Sequence, residues 1–140
     1  VDMGFNCLRL PYALEIQRGG HGRSLRPAAL ALVANPELQT FSALQLLDAV
    51  VEAASAAGLL TIINNHSGRA GPCCTADDGE GLWYSAAYPE AEWLASLAAL
   101  ARRYRGNPRV VGYDIRNELR GAPIAAFSQV FRHRGRSHVE

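Results

Sequence analysis

Ser42–Asn64, SALQLLDAVVEAASAAGLLTIIN, decides the architecture. Ser42 followed three residues later by Gln45 is a capping box, and Phe41 and Leu46 occupy the hydrophobic-staple positions flanking it. Leu47, Val50, Val51 and Ala54 recur at helical spacing on one face, and Gly58 supplies the stop. The run Leu59–Asn64 is continuously apolar and of strand length, as suits a parallel strand covered on both faces. Working outward, Gly4–Tyr12 (GFNCLRLPY) predicts a short buried strand that Pro11 stops. Glu90–Arg105 predicts a second helix, with Pro89 just inside its start, Glu90 and Glu92 in the first turn, and Arg102, Arg103 and Arg105 in the last. Its apolar face reads Trp93, Leu97, Leu100, Ala101 and Tyr104, and Val110–Arg116 predicts a third strand. Strand, helix, strand, helix, strand with short helix-to-strand turns implies a parallel sheet with right-handed crossovers. Doubly wound sheets and (β/α)8 barrels both use it, and both place their chemistry at the carboxyl ends of the strands.

The remaining segments are loops. Residues 13–41, with Gly19-Gly20, Gly22, Pro27 and Asn35-Pro36, read as a long excursion holding one short Ala/Leu helix at 28–34, and 65–88 reads as a loop rich in Gly, Asp and Ser.

The 140 residues are 49% hydrophobic and 19% charged, which excludes disorder as the main state. The longest apolar stretch, Leu44–Ile63, is broken by Asp48, Glu52, Ser55 and Gly58, whereas a membrane span needs about 20 mainly apolar residues. A net charge of +1 provides no general attraction to nucleic acid or membrane. Residues 1–118 carry ten Arg and twelve acids, while 119–140 carry four Arg and one acid, so the end of the chain differs in character from its body. All 14 basic residues are Arg, a compositional bias. Cys7, Cys73 and Cys74 fit neither a disulfide framework nor a zinc site of paired Cys-x-x-Cys ligands. The start at Val1 without a signal peptide predicts an internal piece of a longer protein.

The predicted strands end in Arg9-Leu10-Pro11, Asn64-Asn65-His66 and Arg116-Asn117-Glu118. A lone Arg there is commonly an ion-pair residue, a lone His a structural one, and Asn-Glu a helix cap. Their joint occurrence at successive strand ends points to an active site. A doubly wound nucleotide-binding domain fits poorly, because no Gly-x-Gly-x-x-Gly cradle follows the first strand. The Arg-rich end has no aromatic interleaving and reads as a solvated end.

Gly4–Tyr12, Asn35–Leu38, Ser42–His66, Gly71–Tyr84 with its Cys-Cys and Asp-Gly-x-Gly-Leu-Trp-Tyr, and Arg103–Glu118 together resemble glycoside hydrolase family 5, the cellulase-type barrels. The resemblance covers roughly residues 4–121 and implies a partial (β/α)8 barrel, strands two to four, over 1–122, with 123–140 a divergent basic tail. It implies a retaining hydrolase of a β-linked polysaccharide or oligosaccharide, without metal or cofactor, secreted, and unrelated to nucleic acid or membrane. In that scheme Glu118 is the acid/base, a carboxylic acid kept protonated near neutral pH by a partly buried, like-charged site. Asn117 bonds the sugar 2-hydroxyl, Arg9 is a buried guanidinium holding the nucleophile ionised, and His66 lies in the cleft floor. Trp83, with Tyr84 beside it, is either a sugar-stacking platform or an ordinary core aromatic. Adjacent strand residues face opposite ways, so Asn117 and Glu118 reach one substrate only if the backbone departs from strand geometry at Asn117. Cys73-Cys74 are expected to pair outside the chain or stay reduced, a ring between neighbours being strained.

Three departures from the family pattern stand out. Leu119 replaces the usual Pro after Asn-Glu, the nucleophilic Glu of the seventh strand is missing, and so are the first strand and strands five to eight. A full barrel takes about 250 residues. A frameshift, retained intron or truncated gene model is the simplest source of the divergent end. The alternative to a hydrolase fragment is a non-catalytic truncated barrel segment with at most weak carbohydrate binding. Its open sheet edges and an unpaired Arg9 would favour aggregation.

Overall fold

The computed structural model describes residues 3–18 and 33–121. Strands β1 (Cys7–Ala13), β2 (Leu60–Ser67) and β3 (Val110–Asp114) form one parallel sheet in the order β1-β2-β3, connected by helices α1 (Ala43–Ala56) and α2 (Glu90–Tyr104). Short 3-10 turns occupy Leu14–Gln17 and Pro36–Leu38.

Local chemistry fixes α1 at both ends. The Ser42 hydroxyl accepts from the Gln45 N–H at 3.2 Å and the Gln45 side chain accepts from the Ser42 N–H at 2.8 Å, closing the capping box. At the other end Gly58 adopts φ 79°, and the N–H groups of Gly58 and Leu59 return to the carbonyls of Ser55 and Ala54. That double return is a Schellman motif, which a left-handed glycine permits without strain. Replacing Ser42 with Ala should therefore cost about 1 kcal/mol and lower the melting temperature by about 4 °C, whereas Ser42→Gly should cost only a few tenths. Thermal unfolding of both variants checks this; equal losses would show that the cap is not the cause.

The register sorts side chains onto two faces. Leu10, Ile63 and Tyr113 are aligned across the three strands, and with Tyr12 they pack against Leu47 and Val51 of α1 and Leu100 and Tyr104 of α2. Both helices thus cover the same face. Sequential strand order with both helices on one side is how a barrel is wound, whereas a doubly wound sheet reverses its order and has helices on both faces. The aligned row Pro11–Asn64–Asp114 and the neighbouring Arg9 lie on the other, inner face.

Several boundaries differ from the sequence expectation. β1 is not buried on both faces: Cys7, Arg9 and Pro11 are exposed, because no described residue opposes the inner face. Nor does Pro11 end it. β1 continues to Ala13, since at the sheet edge a missing N–H leaves no gap in the ladder. β2 runs three residues past Asn64, and the register passes from Tyr12↔Asn65 to Ala13↔Ser67, leaving His66 as the extra residue of a bulge. β3 ends at Asp114 rather than Arg116, as the Asn117 N–H instead donates to the Asn65 carbonyl at 2.9 Å. Pro89 is the N-cap of α2, not its first residue. Ala101 is exposed, and Ser96 takes its place on the buried face, bonded by Gln17 at 2.6 Å and by the Tyr12 hydroxyl at 3.4 Å. Most of the helix expected at 28–34 and the tail at 123–140 lie outside the described residues.

Candidate active site

The inner face carries a connected polar group at the carboxyl ends of the strands. From β1, the Arg9 guanidinium donates to Asp114 of β3 at 2.6 and 2.9 Å, and to the Asn117 amide oxygen at 2.7 Å. With its oxygen held by Arg9, Asn117 turns its amide nitrogen toward Cys74 Sγ at 3.7 Å. His66 Nδ1 lies 2.8 Å from Asn64 Oδ1, and its Nε2 lies 3.9 Å from the same sulfur. Arg9, His66 and Asn117 are thereby brought together. Two corrections follow. Arg9 is not a buried guanidinium lacking a carboxylate: its side chain is 46% exposed and paired with Asp114. Asp114 was missed in the sequence, although period-two alternation from the core residue Tyr113 would have turned it inward.

Glu118 follows Asn117 directly, with φ 41°. A left-handed backbone is uncommon for a non-glycine residue and holds only where the surroundings impose it. Here the strand has already ended, so the alternation that would have opposed Asn117 and Glu118 no longer applies. Glu118 itself is exposed, contrary to the expectation of a partly buried carboxyl, and among the described residues no hydrogen bond or ion pair joins its carboxylate to Arg9, His66 or Asn117.

Two arginines bracket the Asn117–Glu118 pair and tie it to the 74–81 loop. Arg116, 4% exposed, donates to the Glu80 carbonyl at 2.7 Å and to Asn65 at 3.3 Å, with the Glu80 carboxylate also at 3.3 Å. Arg120 donates to the carbonyls of Thr75 at 2.9 Å and Glu118 at 3.1 Å, and to the Asp78 carboxylate. The Arg120 N–H adds a bond to the Gly81 carbonyl at 2.9 Å. Gly81 fits because a Cβ there would run into the Arg120 carbonyl. This clamp fixes the backbone just past Glu118, where Leu119 stands in place of proline.

Cys73 and Cys74 are bonded to each other, and Cys74 adopts φ 79°. The expectation that adjacent cysteines would not close a ring is thus corrected: the Cys74 N–H donates to Asp78 at 2.7 Å, holding the loop in the conformation that brings the two sulfurs together. Trp83 belongs to a different neighbourhood. It packs edge-on to Tyr84 and tilted against Trp93 of α2, and its N–H donates to Glu90 at 2.8 Å. No hydrogen bond joins it to Arg9, His66 or Asn117 among the described residues.

Asp78 and Glu92 make acid stability testable. The Glu80 N–H, followed by the Cys74 N–H and Arg120, holds the Asp78 carboxyl below its ordinary value, and a hydrogen bond from Arg18 does the same for Glu92. A depressed folded-state pKa gives stability that is present above the unfolded value and lost as pH falls through the folded one. The melting temperature should therefore fall as pH drops below about 4, and an Asp78→Asn, Glu92→Gln double variant should melt lower at pH 6 with a shallower acid slope. A slope unchanged in the double variant would remove these two groups as its source.

A parallel sheet with both helices on one face and polar residues gathered at its strand ends is the arrangement of a segment of a (β/α)8 barrel. Comparison with family profiles matches residues 1–133 to the cellulase family, glycosyl hydrolase family 5, and the chain belongs to that family. It is 36% identical over 120 residues to the major extracellular endoglucanase of Xanthomonas campestris pv. campestris, covering 86% of this chain and 23% of that protein. It is 34% identical over 119 residues to an endoglucanase of Paenibacillus polymyxa, covering 84% of this chain and 27% of that protein. The chain therefore spans about a quarter of the length of the curated relatives it matches. The solved catalytic domain of the Xanthomonas enzyme superposes with a TM-score of 0.65 at 34% identity, over 83% of this chain and 31% of that one.

Proposed function

We propose that this chain supplies the acid/base side of a retaining glycoside hydrolase cleft for a β-linked glucan, in a protein acting outside the cell. The observation that carries the proposal is the convergence of Arg9 on Asn117, with Glu118 next in the chain on a left-handed backbone four residues past β3. Glu118 donates its proton to the departing glycosidic oxygen and later takes one from water, and Asn117 bonds the 2-hydroxyl as positive charge grows on the sugar ring. Arg9 supports the ionised nucleophile contributed by another part of the barrel, and His66 offers a polar contact in the floor. Trp83, half-buried beside the exposed Tyr84, provides an aromatic wall on the third loop. The names of the endoglucanase relatives, one of them called extracellular, support both the substrate class and the location.

Double displacement needs two carboxylates about 5–5.5 Å apart, and in this reading Glu118 fills only one of the two roles. The chain alone should therefore show no measurable hydrolysis of an aryl β-glucoside; turnover by homogeneous chain would overturn this. The functional test is a chimera in which residues 3–121 replace the matching segment of the Xanthomonas catalytic domain. Hydrolysis of soluble β-glucan by the folded chimera supports the proposal, and a folded chimera without hydrolysis rejects it.

A further inference from the structure

Next to the proposed sugar contacts, and sharing His66 with them, lies a pair of sulfurs that glycoside hydrolysis does not use. His66 Nε2 and the sulfurs of Cys73 and Cys74 all lie within 4.8 Å of one another. We propose that, once the Cys73–Cys74 bond is reduced, His66, Cys73 and Cys74 form a three-ligand site for a thiophilic d10 divalent cation at the carboxyl end of β2. The proposal does not depend on the glycosidase assignment.

Three observations carry it. First, the imidazole is prepared as a ligand: Nδ1 lies 2.8 Å from Asn64 Oδ1. With Asn64 Oδ1 as the acceptor, Nδ1 carries the proton of the neutral ring and Nε2 is its lone-pair nitrogen, on the side of the sulfur. Hydrogen-bonding the far nitrogen is how proteins orient metal-binding histidines. Second, the spacing fits. Bonds of about 2.3 Å to sulfur and about 2.0–2.1 Å to nitrogen put the two ligand atoms roughly 3.6 Å apart at a tetrahedral angle and 4.4 Å apart when linear, and Cys74 Sγ and His66 Nε2 are 3.9 Å apart. Third, these groups are held by the fold. His66 is placed by the bulge in β2, and the Cys74 backbone is anchored by Asp78.

Closed, as it stays in the oxidising space outside the cell, the ring offers no thiolate, so the site exists only where a dithiol reductant opens it. Reduction by a dithiol adds two electrons and two protons across the sulfur–sulfur bond while the reductant closes its own disulfide. Metal binding then releases the two thiol protons to solvent, and soft thiolate with imidazole selects zinc-group ions over magnesium or calcium. A bound ion would take over Cys74 Sγ, toward which the Asn117 amide points, so occupancy would also disturb the residue next to Glu118.

The test uses the full 140-residue chain carrying Cys7→Ser, which removes the exposed free thiol, with cadmium as the probe. The reduced chain should take up one cadmium ion with the ultraviolet thiolate-to-cadmium absorption of two thiolates, and the oxidised chain should show none. The 15N resonance of His66 Nε2 should shift on saturation, and His66→Ala should weaken binding at least about tenfold, the size of effect seen when even a group behind a ligand is removed. Uptake by the oxidised chain, no absorption on reduction, or an unmoved His66 resonance at saturation would each overturn the site. The resonance decides the matter even if the alanine variant fails to fold.

Discussion

In the chimera, Glu118→Gln should lower turnover of unactivated β-glucan by about 10²–10⁴, the usual contribution of a positioned general acid, with sugar binding largely retained. The amide is close to isosteric with the carboxylic acid but cannot give up a proton to the leaving oxygen. The loss must therefore depend on the leaving group: an aryl glucoside whose phenolate departs unaided should form the glycosyl-enzyme almost normally. Its second step still needs a base to deprotonate water, so the intermediate should accumulate. Azide needs no deprotonation and should restore turnover while giving a glycosyl azide. Burst kinetics with activated and unactivated substrates, with and without azide, separate these steps. Equal losses for both leaving groups, with no azide rescue, would remove Glu118 from the acid/base role and leave it a structural position.

Much of the frame was legible because its signals are local. The capping box at Ser42, the stop at Gly58, and the acids and arginines at the two ends of α2 each depend on residues within a turn of one another, and they appear as read except that Arg105 is the C-cap rather than part of the last turn. Signals that depend on distant chain were misread. Pro11 looks like a terminator until β1 is known to lie at a sheet edge. His66 looks like a loop residue until pairing with β1 extends β2 through a bulge. At the site, Arg9, His66 and Asn117 are assigned roles from the sequence, Asn64 and Arg116 appear there only as members of the strand-end motifs, and Asp114 and Arg120 are not singled out. Their roles come from register and from contacts between residues far apart in the chain, 45 apart for Thr75 and Arg120 and 105 for Arg9 and Asp114. The backbone departure required at Asn117–Glu118 was foreseeable from strand alternation alone. Its cause, two flanking arginines and a glycine without room for a Cβ, was not.

That clamp carries the largest expected stability effect. Arg116 is 4% exposed and Glu80 15%, so the pair is largely out of water. The Glu80 carboxylate also accepts the N–H groups of Gly68 and of Arg69, the latter at 3.0 Å, binding the end of β2 to the loop. Removing one partner of a buried pair costs about 3–5 kcal/mol because the other charge is left uncompensated. Glu80→Gln should sit near 3 kcal/mol, the lower end, since the carboxylate is 3.3 Å away while the Glu80 carbonyl at 2.7 Å stays in place. That corresponds to a melting temperature lower by roughly 10 °C for a chain of this size. Arg116→Met should cost less than Glu80→Gln, because the carboxylate it leaves behind keeps its backbone donors. If the uncompensated charge is the cause, a Glu80→Met, Arg116→Met double variant should be more stable than Glu80→Gln alone, apolar replacement of both partners being often neutral. Thermal and urea unfolding of the three variants decide it. A Glu80→Gln loss under about 1 kcal/mol would mean that the pair behaves as a surface contact, and a double variant no better than the single would mean that the backbone bonds of Glu80, rather than its charge, hold the loop against the Asn117–Glu118 turn.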